Sequence, residues 1–214
     1  MLVLDNVALG FGGAPLFAPL SLTIKGGDIA LLTAPSGAGK STLLRWICGM
    51  PTNGLTGDGH VSLNGRPLNS VAVEKRRIGM MFQEPLMFPH LTVADNLGFG
   101  LTRGGSAAQR RDIIARQLER VGMAGFEERD PMTLSGGQKA RVALIRSLLA
   151  EPEALLLDEP FSGLDDVIRD DFAQLVREEI KARKLPVVMV SHDPRDRDYA
   201  DHPAIPLSSP DQVV

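Results

Sequence analysis

The chain has 214 residues, 43% of them hydrophobic and 23% charged, the usage of a globular fold rather than a disordered or fibrous one. Its 26 acidic residues outnumber 23 basic ones for a formal charge of −3, so broad binding to nucleic-acid backbones is not expected. A single cysteine, Cys48, excludes an internal disulfide and a cysteine-built metal cluster, and no apolar run reaches the ~18 residues that span a bilayer.

Residues 2–33 are strand-rich, and the opening MLVLDNVALGF lacks the basic-then-apolar layout of a secretory signal. Leu20, Leu22 and Ile24 alternate with Ser21 and Thr23, as in a half-buried strand. After a turn at Gly26-Gly27-Asp28, the run Ile29–Leu32 suits a strand buried on both faces. Similar runs recur at Gly79–Phe82, Ala154–Leu157 and Val187–Val190. Between them lie helical patterns. Ser106 with Gln109 forms a capping box for a helix carrying Ile113, Ile114, Gln117, Leu118 and Val121, stopped by Gly122. Ser135 caps a second helix through Lys139–Arg146, and Ile168, Phe172, Leu175, Val176 and Ile180 mark a third. Strands separated by helices predict an α/β fold with a mostly parallel sheet. Residues 86–150 contain no strand pattern and read as a helical subdomain inserted in one domain spanning 1–214, whose core is 1–85 and 151–214. Pro203 and Pro206 permit only an edge strand near the end of the sequence.

Two segments carry chemistry. Ser36-Gly37-Ala38-Gly39-Lys40-Ser41-Thr42 joins a buried strand to a helix start, where backbone N–H groups and the helix dipole favour phosphate. The glycines clear the approach, Lys40 supplies a cation, and the Ser41 hydroxyl can ligate Mg²⁺. Ala34 stands where this loop type carries its first glycine, so Ala34 is expected at negative φ. The strand Ala154–Leu157 ends in Asp158 and Glu159, at the strand end where α/β proteins place ligands. Asp158 suits the Mg²⁺ shell, and Glu159 suits a general base for water. Adjacent strand residues face opposite ways, so the two acids are expected to divide these roles.

A third segment, Leu134-Ser135-Gly136-Gly137-Gln138, places exposed N–H groups at another helix start. With it, the sequence resembles the ATP-binding cassette (ABC) ATPases, specifically the importer-like ATP-binding subunit of a transporter. The resemblance implies a P-loop NTPase (RecA-like) core with an N-terminal antiparallel β region. It implies ATP and Mg²⁺ as ligands, with Phe11 stacking on adenine, although Phe17 is a second aromatic nearby. It further implies Gln83 as Mg²⁺ sensor and membrane-subunit contact, His192 as the switch that meets the γ-phosphate, and Ser162 and Asp165 at a dimer interface. Ser135, Gly136, Gly137 and Gln138 would reach the nucleotide of a second copy, giving a homodimer with two composite sites. Transmembrane permease subunits, a possible solute-binding receptor and a place on the inner face of the cell membrane follow from the same resemblance. A non-transport clamp acting on a protein partner is the alternative. His60, His90 and His202 read as structural or surface residues, Cys48 as a small buried one, and Lys75-Arg76-Arg77 and Arg110-Arg111 as solvated faces.

Overall fold

The structure, a computed structural model, describes residues 1–102 and 104–208; Arg103, and 209–214 of the expected core segment 151–214, lie outside the described residues. Strands β1 (Leu2–Phe11), β2 (Ala14–Pro15), β3 (Leu20–Ile24) and β4 (Ile29–Thr33) open the chain, before helix α1 (Lys40–Cys48), β5 (Leu55–Leu63) and β6 (Arg66–Pro67). After β7 (Ile78–Met81) come α2 (Val93–Gly98), α3 (Ala107–Arg120) and α4 (Gly136–Leu149). Then follow β8 (Ala154–Asp158), α5 (Asp166–Arg183), β9 (Val187–Ser191) and β10 (Ile205–Pro206).

These strands form two sheets. In one, β1 pairs antiparallel with β2, β3 and β5, and β5 with β6. The other is parallel, in the order β10-β4-β9-β8-β7. Its central strands β4, β8 and β9 are apolar up to their last residue, because both faces are covered. Ala30, Leu32, Ala154, Leu156, Val188 and Val190 join Leu43, Leu44 and Ile47 of α1 and the inward residues of β1 in one core. Ile29, Leu31, Leu155, Leu157, Val187 and Met189 pack on the other face with residues from α2 to α5. The result is three layers with the parallel sheet in the middle.

The expected helices form. Ser106 and Gln109 make the reciprocal capping box of α3, whose last turn closes at Val121 before Gly122 at φ 70°. Among the described residues of 86–150 there is no strand. Helix α4 lies against both β7 and α5, so it connects the helical segment to the sheet; Ser147 Oγ donates to the Met80 carbonyl at 3.2 Å. Pro206 falls in β10 at the sheet edge.

Two features depart from the sequence reading. Strand β5 is long, yet its sequence LTGDGHVSL offers no clean alternation, because only Val61 and Leu63 are buried and the strand is held by register with β1. Arg76 is not on a solvated face. It is buried, with Nη1 donating to the Ile47 carbonyl at 2.7 Å and the Trp46 carbonyl at 3.2 Å, and Nε to Val71 O at 2.9 Å. A cation there satisfies carbonyls that the end of α1 leaves open. Burial pulls its pKa below the ordinary arginine value.

Candidate functional site

The parallel strands β4, β9, β8 and β7 are neighbours, and each delivers a polar segment from its C-terminal end. From β4 the chain enters the loop 34–39. Gly37 and Gly39 take left-handed φ values of 83° and 88°, open to glycine without strain. Gly39 caps α1 with no side-chain hydrogen bond, and no acidic residue occupies the first turn, leaving that helix start to an anion. Ala34 lies at negative φ, as expected. Ala38 donates its N–H within the loop, to Pro35 O at 3.3 Å.

Lys40 is only 5% exposed. Its Nζ donates to the carbonyls of Ala34 at 2.8 Å and Pro35 at 3.2 Å and lies 3.4 Å from Glu159 Oε1. Beside it, Ser41 Oγ donates to Asp158 Oδ1 at 3.0 Å. Burial raises the Asp158 pKa, against the Ser41 hydrogen bond, which lowers it.

Glu159 leaves β8 at φ 47°, a conformation that costs a non-glycine residue about 1–2 kcal/mol. That twist explains how two adjacent acids both reach the same region. The Glu159 N–H donates to Val190 O at 3.0 Å, fastening the turn to β9. Its carboxylate is approached from three strand ends: by Lys40, by Gln83 Nε2 at 3.3 Å, and by His192 Nδ1 at 3.0 Å.

A cleft of about 540 Å³ runs over these groups, bordered by Phe11, Gly37, Gly39, Lys40, Gln83 and Glu159. Ser36, Ser41 and Thr42 complete its loop side. Phe11 stands at its wall, 38% exposed, whereas Phe17 is 1% exposed and belongs to the core. Of the two aromatics, only Phe11 borders the cleft.

Ser135–Gln138 border no part of this cleft in the same chain. They form a second capping box, Ser135 N–H donating to Gln138 Oε1 at 2.9 Å and Gln138 N–H to Ser135 Oγ at 3.3 Å. A Cβ on Gly137 would meet Ile168 Cγ2 at 2.5 Å, so this glycine also lets α4 start against α5. Ser162 and Asp165 are exposed nearby. Asp165 caps α5, accepting the Ile168 N–H at 3.0 Å, and the Ser162 N–H donates to Glu159 O at 3.1 Å.

The ABC transporter family profile matches residues 17–162. The chain belongs to the ABC transporter family. The ATP-binding proteins of this family are ATPases. The cassette is 43% identical to the ABC transporter ATP-binding protein YnjD of Escherichia coli (strain K12) over 92% of its own length and 90% of that protein. It is 41% identical to the sulfate/thiosulfate import ATP-binding protein CysA of Gloeobacter violaceus, over 91% of this chain and 56% of the relative. With the Fe(3+) ions import ATP-binding protein FbpC of Pasteurella multocida it shares 38% over 90% of this chain and 54% of that one. It therefore spans little more than half of those two import proteins. Among solved structures it is similar to the dimeric post-hydrolysis state of the ATP-binding cassette MJ0796 bound to ADP and Pi. The TM-score is 0.81 at 28% identity, covering 97% of this chain and 94% of that one.

The cassette's donor set fits a hard divalent cation: the Ser41 hydroxyl and the Asp158 carboxylate 3.0 Å apart, with the Gln83 amide reaching the adjoining Glu159. No cluster of three or more histidine, cysteine or acidic residues suited to a metal occurs among the described residues. The sequence reading missed two further features. One is a groove of about 470 Å³ beside Gln83, bordered by Phe82, Leu86, Phe88, Phe99 and Arg146, where Leu86 is 57% and Phe99 66% exposed. The other is a buried ion cluster around Arg169. Its signal was present, since Arg169 falls on the same face of α5 as Phe172, Ala173 and Val176.

Proposed function

We propose that this cassette is the ATP-hydrolysing subunit of a transporter of the importer type, working as a pair of identical chains bound to transmembrane permease subunits. Residues 1–85 and 151–214 serve as the nucleotide-binding core, and 86–150 as a helical subdomain presenting Ser135–Gln138 to the opposite copy. The observation that carries the reading is the gathering of Lys40, Gln83 and His192 on one carboxylate, Glu159, beside the Ser41–Asp158 pair.

The roles follow from position. Phe11 offers a flat apolar face for the base, and the α1 start with Ser36–Thr42 binds the phosphates. Lys40 exchanges its contacts with loop carbonyls for β- and γ-phosphate oxygens. Ser41, Asp158 and Gln83 would hold Mg²⁺, which would supply charge neutralisation at those oxygens. Glu159 accepts the proton of the attacking water as its oxygen bonds to the γ-phosphorus, and the bond to ADP breaks. His192 and Gln83 hold the carboxylate and the γ-phosphate in line. Ser135 and the N–H groups of Gly136 and Gly137, from the other chain, add the donors on which rapid turnover depends.

The apolar groove beside Gln83 supports a permease docking there, so that movement of Gln83 is felt by the partner. No helix among the described residues is long and apolar enough to cross a membrane, in keeping with a cytoplasmic subunit attached through that partner. A solute receptor completes the assembly in the same reading. Replacing Glu159 with Gln keeps the shape and removes the base. ATP binding persists, the ATP-dependent dimer accumulates in size-exclusion chromatography, and turnover falls about 10²–10⁴-fold. A variant that still hydrolyses ATP at the wild-type rate would remove Glu159 from the reaction.

A further inference from the structure

Arg169 is a guanidinium that the reaction above does not use, although it is 4% exposed. Its Nη1 donates to Asp193 Oδ2 at 2.8 Å and its Nη2 to Asp196, while its buried Nε has no hydrogen-bond partner. Burial alone would lower its pKa, but the hydrogen bonds to Asp196 and Asp193 hold it above the ordinary arginine value. A buried cation is kept only against such compensation. Both acceptors lie in the turn that follows His192.

Apart from Arg169, the hydrogen-bond partners of Asp193 among the described residues lie within three residues of it, in its own turn. Its N–H donates to Ser191 Oγ at 3.0 Å, and its carboxylate accepts the Arg195 N–H at 2.9 Å and Arg195 Nη2 at 2.7 Å. Further along, Tyr199 Oη bonds Asp170, and Arg177 Nη1 donates to the Tyr199 carbonyl at 2.8 Å. The chain after His192 is thus laced along α5. At the start of that helix the Arg169 N–H donates to the Asp165 carbonyl at 2.8 Å, and Ile168 receives Gly137.

We propose that Arg169 is a positioning residue: through Asp193 it holds His192 against Glu159 and ties that histidine to the first turn of α5, which Asp165 caps and whose Ile168 packs on Gly137. The inference rests on the proposed roles of Glu159 and His192. The His192 side chain is half exposed, and Glu159 is its one recorded polar partner among the described residues. Its direction is therefore set by the backbone on either side. Releasing Asp193 frees that backbone and lets the imidazole turn into solvent.

The test compares Arg169→Met, Arg169→Lys, Asp193→Asn and His192→Ala in the full chain. ATP turnover is read together with the imidazole ¹⁵N resonances of His192, assigned by their loss in His192→Ala. Arg169→Met is expected to lower kcat about tenfold or more with KM little changed, since misplacement by an ångström carries such a cost. Its His192 resonance moves to that of a solvated imidazole without nucleotide present, and Arg169→Lys recovers part of both. Adding His192→Ala to Arg169→Met should lower kcat by less than about twofold further, because the two act as a unit. If Arg169→Met does not fold, Asp193→Asn gives the same two readouts. An unmoved His192 resonance, or the full His192→Ala loss in the Arg169→Met background, overturns the proposal. Wild-type turnover in His192→Ala itself overturns instead the reading on which it rests.

Discussion

Glu159 stands in the left-handed region at the end of an otherwise regular strand, and three polar side chains converge on it. Its neighbour Asp158, also buried, accepts a hydrogen bond from Ser41 and has a pKa raised chiefly by desolvation. A carboxyl whose folded pKa exceeds its unfolded value favours the native state at low pH and loses that contribution as pH rises through the folded value. Asp158→Asn is therefore expected to raise the melting temperature at pH 7 and by less at pH 4, while weakening Mg²⁺-dependent nucleotide binding. Thermal denaturation at the two pH values checks the sign. Asp193 works the other way, because Arg195 and Arg169 hold its carboxyl well below the usual range, so its contribution is lost as pH falls below the ordinary carboxylate value. Much of this was legible in the sequence. Lys40, Ser41, Asp158 and Glu159 lie in short runs whose spacing is local, and the structure gathers them with Phe11, Gln83 and His192. Arg76 was not, since its burial is betrayed by the distant α1 carbonyls, and the helical spacing that puts Arg169 on the apolar face of α5 does not name Asp193 and Asp196 as its acceptors.

Among the elements, the strands of the parallel sheet were readable because an apolar run between two covered faces needs no partner information. Strand β5 was not, because register with β1 and not its own pattern makes it a strand. The start of α4 shows a different limit. Its glycines suggest phosphate contact, yet Gly137 also admits Ile168 to within 2.5 Å of where a Cβ would lie. Gly137→Ala should cost about 1–3 kcal/mol through overpacking, despite the better helix propensity of alanine. Adding Ile168→Ala should return much of that loss. Chemical denaturation of the single and double variants measures both steps; a Gly137→Ala protein more stable than the parent would show that the helices separate freely.

For the whole molecule, the decisive matter is that one chain holds a cleft without Ser135–Gln138 at its border, while its family likeness extends to a dimeric cassette. Mixing two damaged chains tests whether each supplies the other. Glu159→Gln lacks the base but keeps Ser135; Ser135→Arg keeps the base but blocks the helix start. Neither should hydrolyse ATP well alone. Random pairing yields one intact site in each mixed dimer, so an equal mixture should recover about a quarter of wild-type turnover. Failure to recover any would mean the chains do not share sites.

The placement of Phe11 has a consequence for cohesion between layers. It belongs to β1 in the antiparallel sheet, whereas Lys40 and Glu159 follow strands of the parallel one. On the proposed reading, a nucleotide lying between them rivets two slabs of the protein together, its ring on one and its charged tail on the other. Amide protons along β1 and β5, remote from any phosphate, should then exchange with solvent more slowly once the ligand is seated.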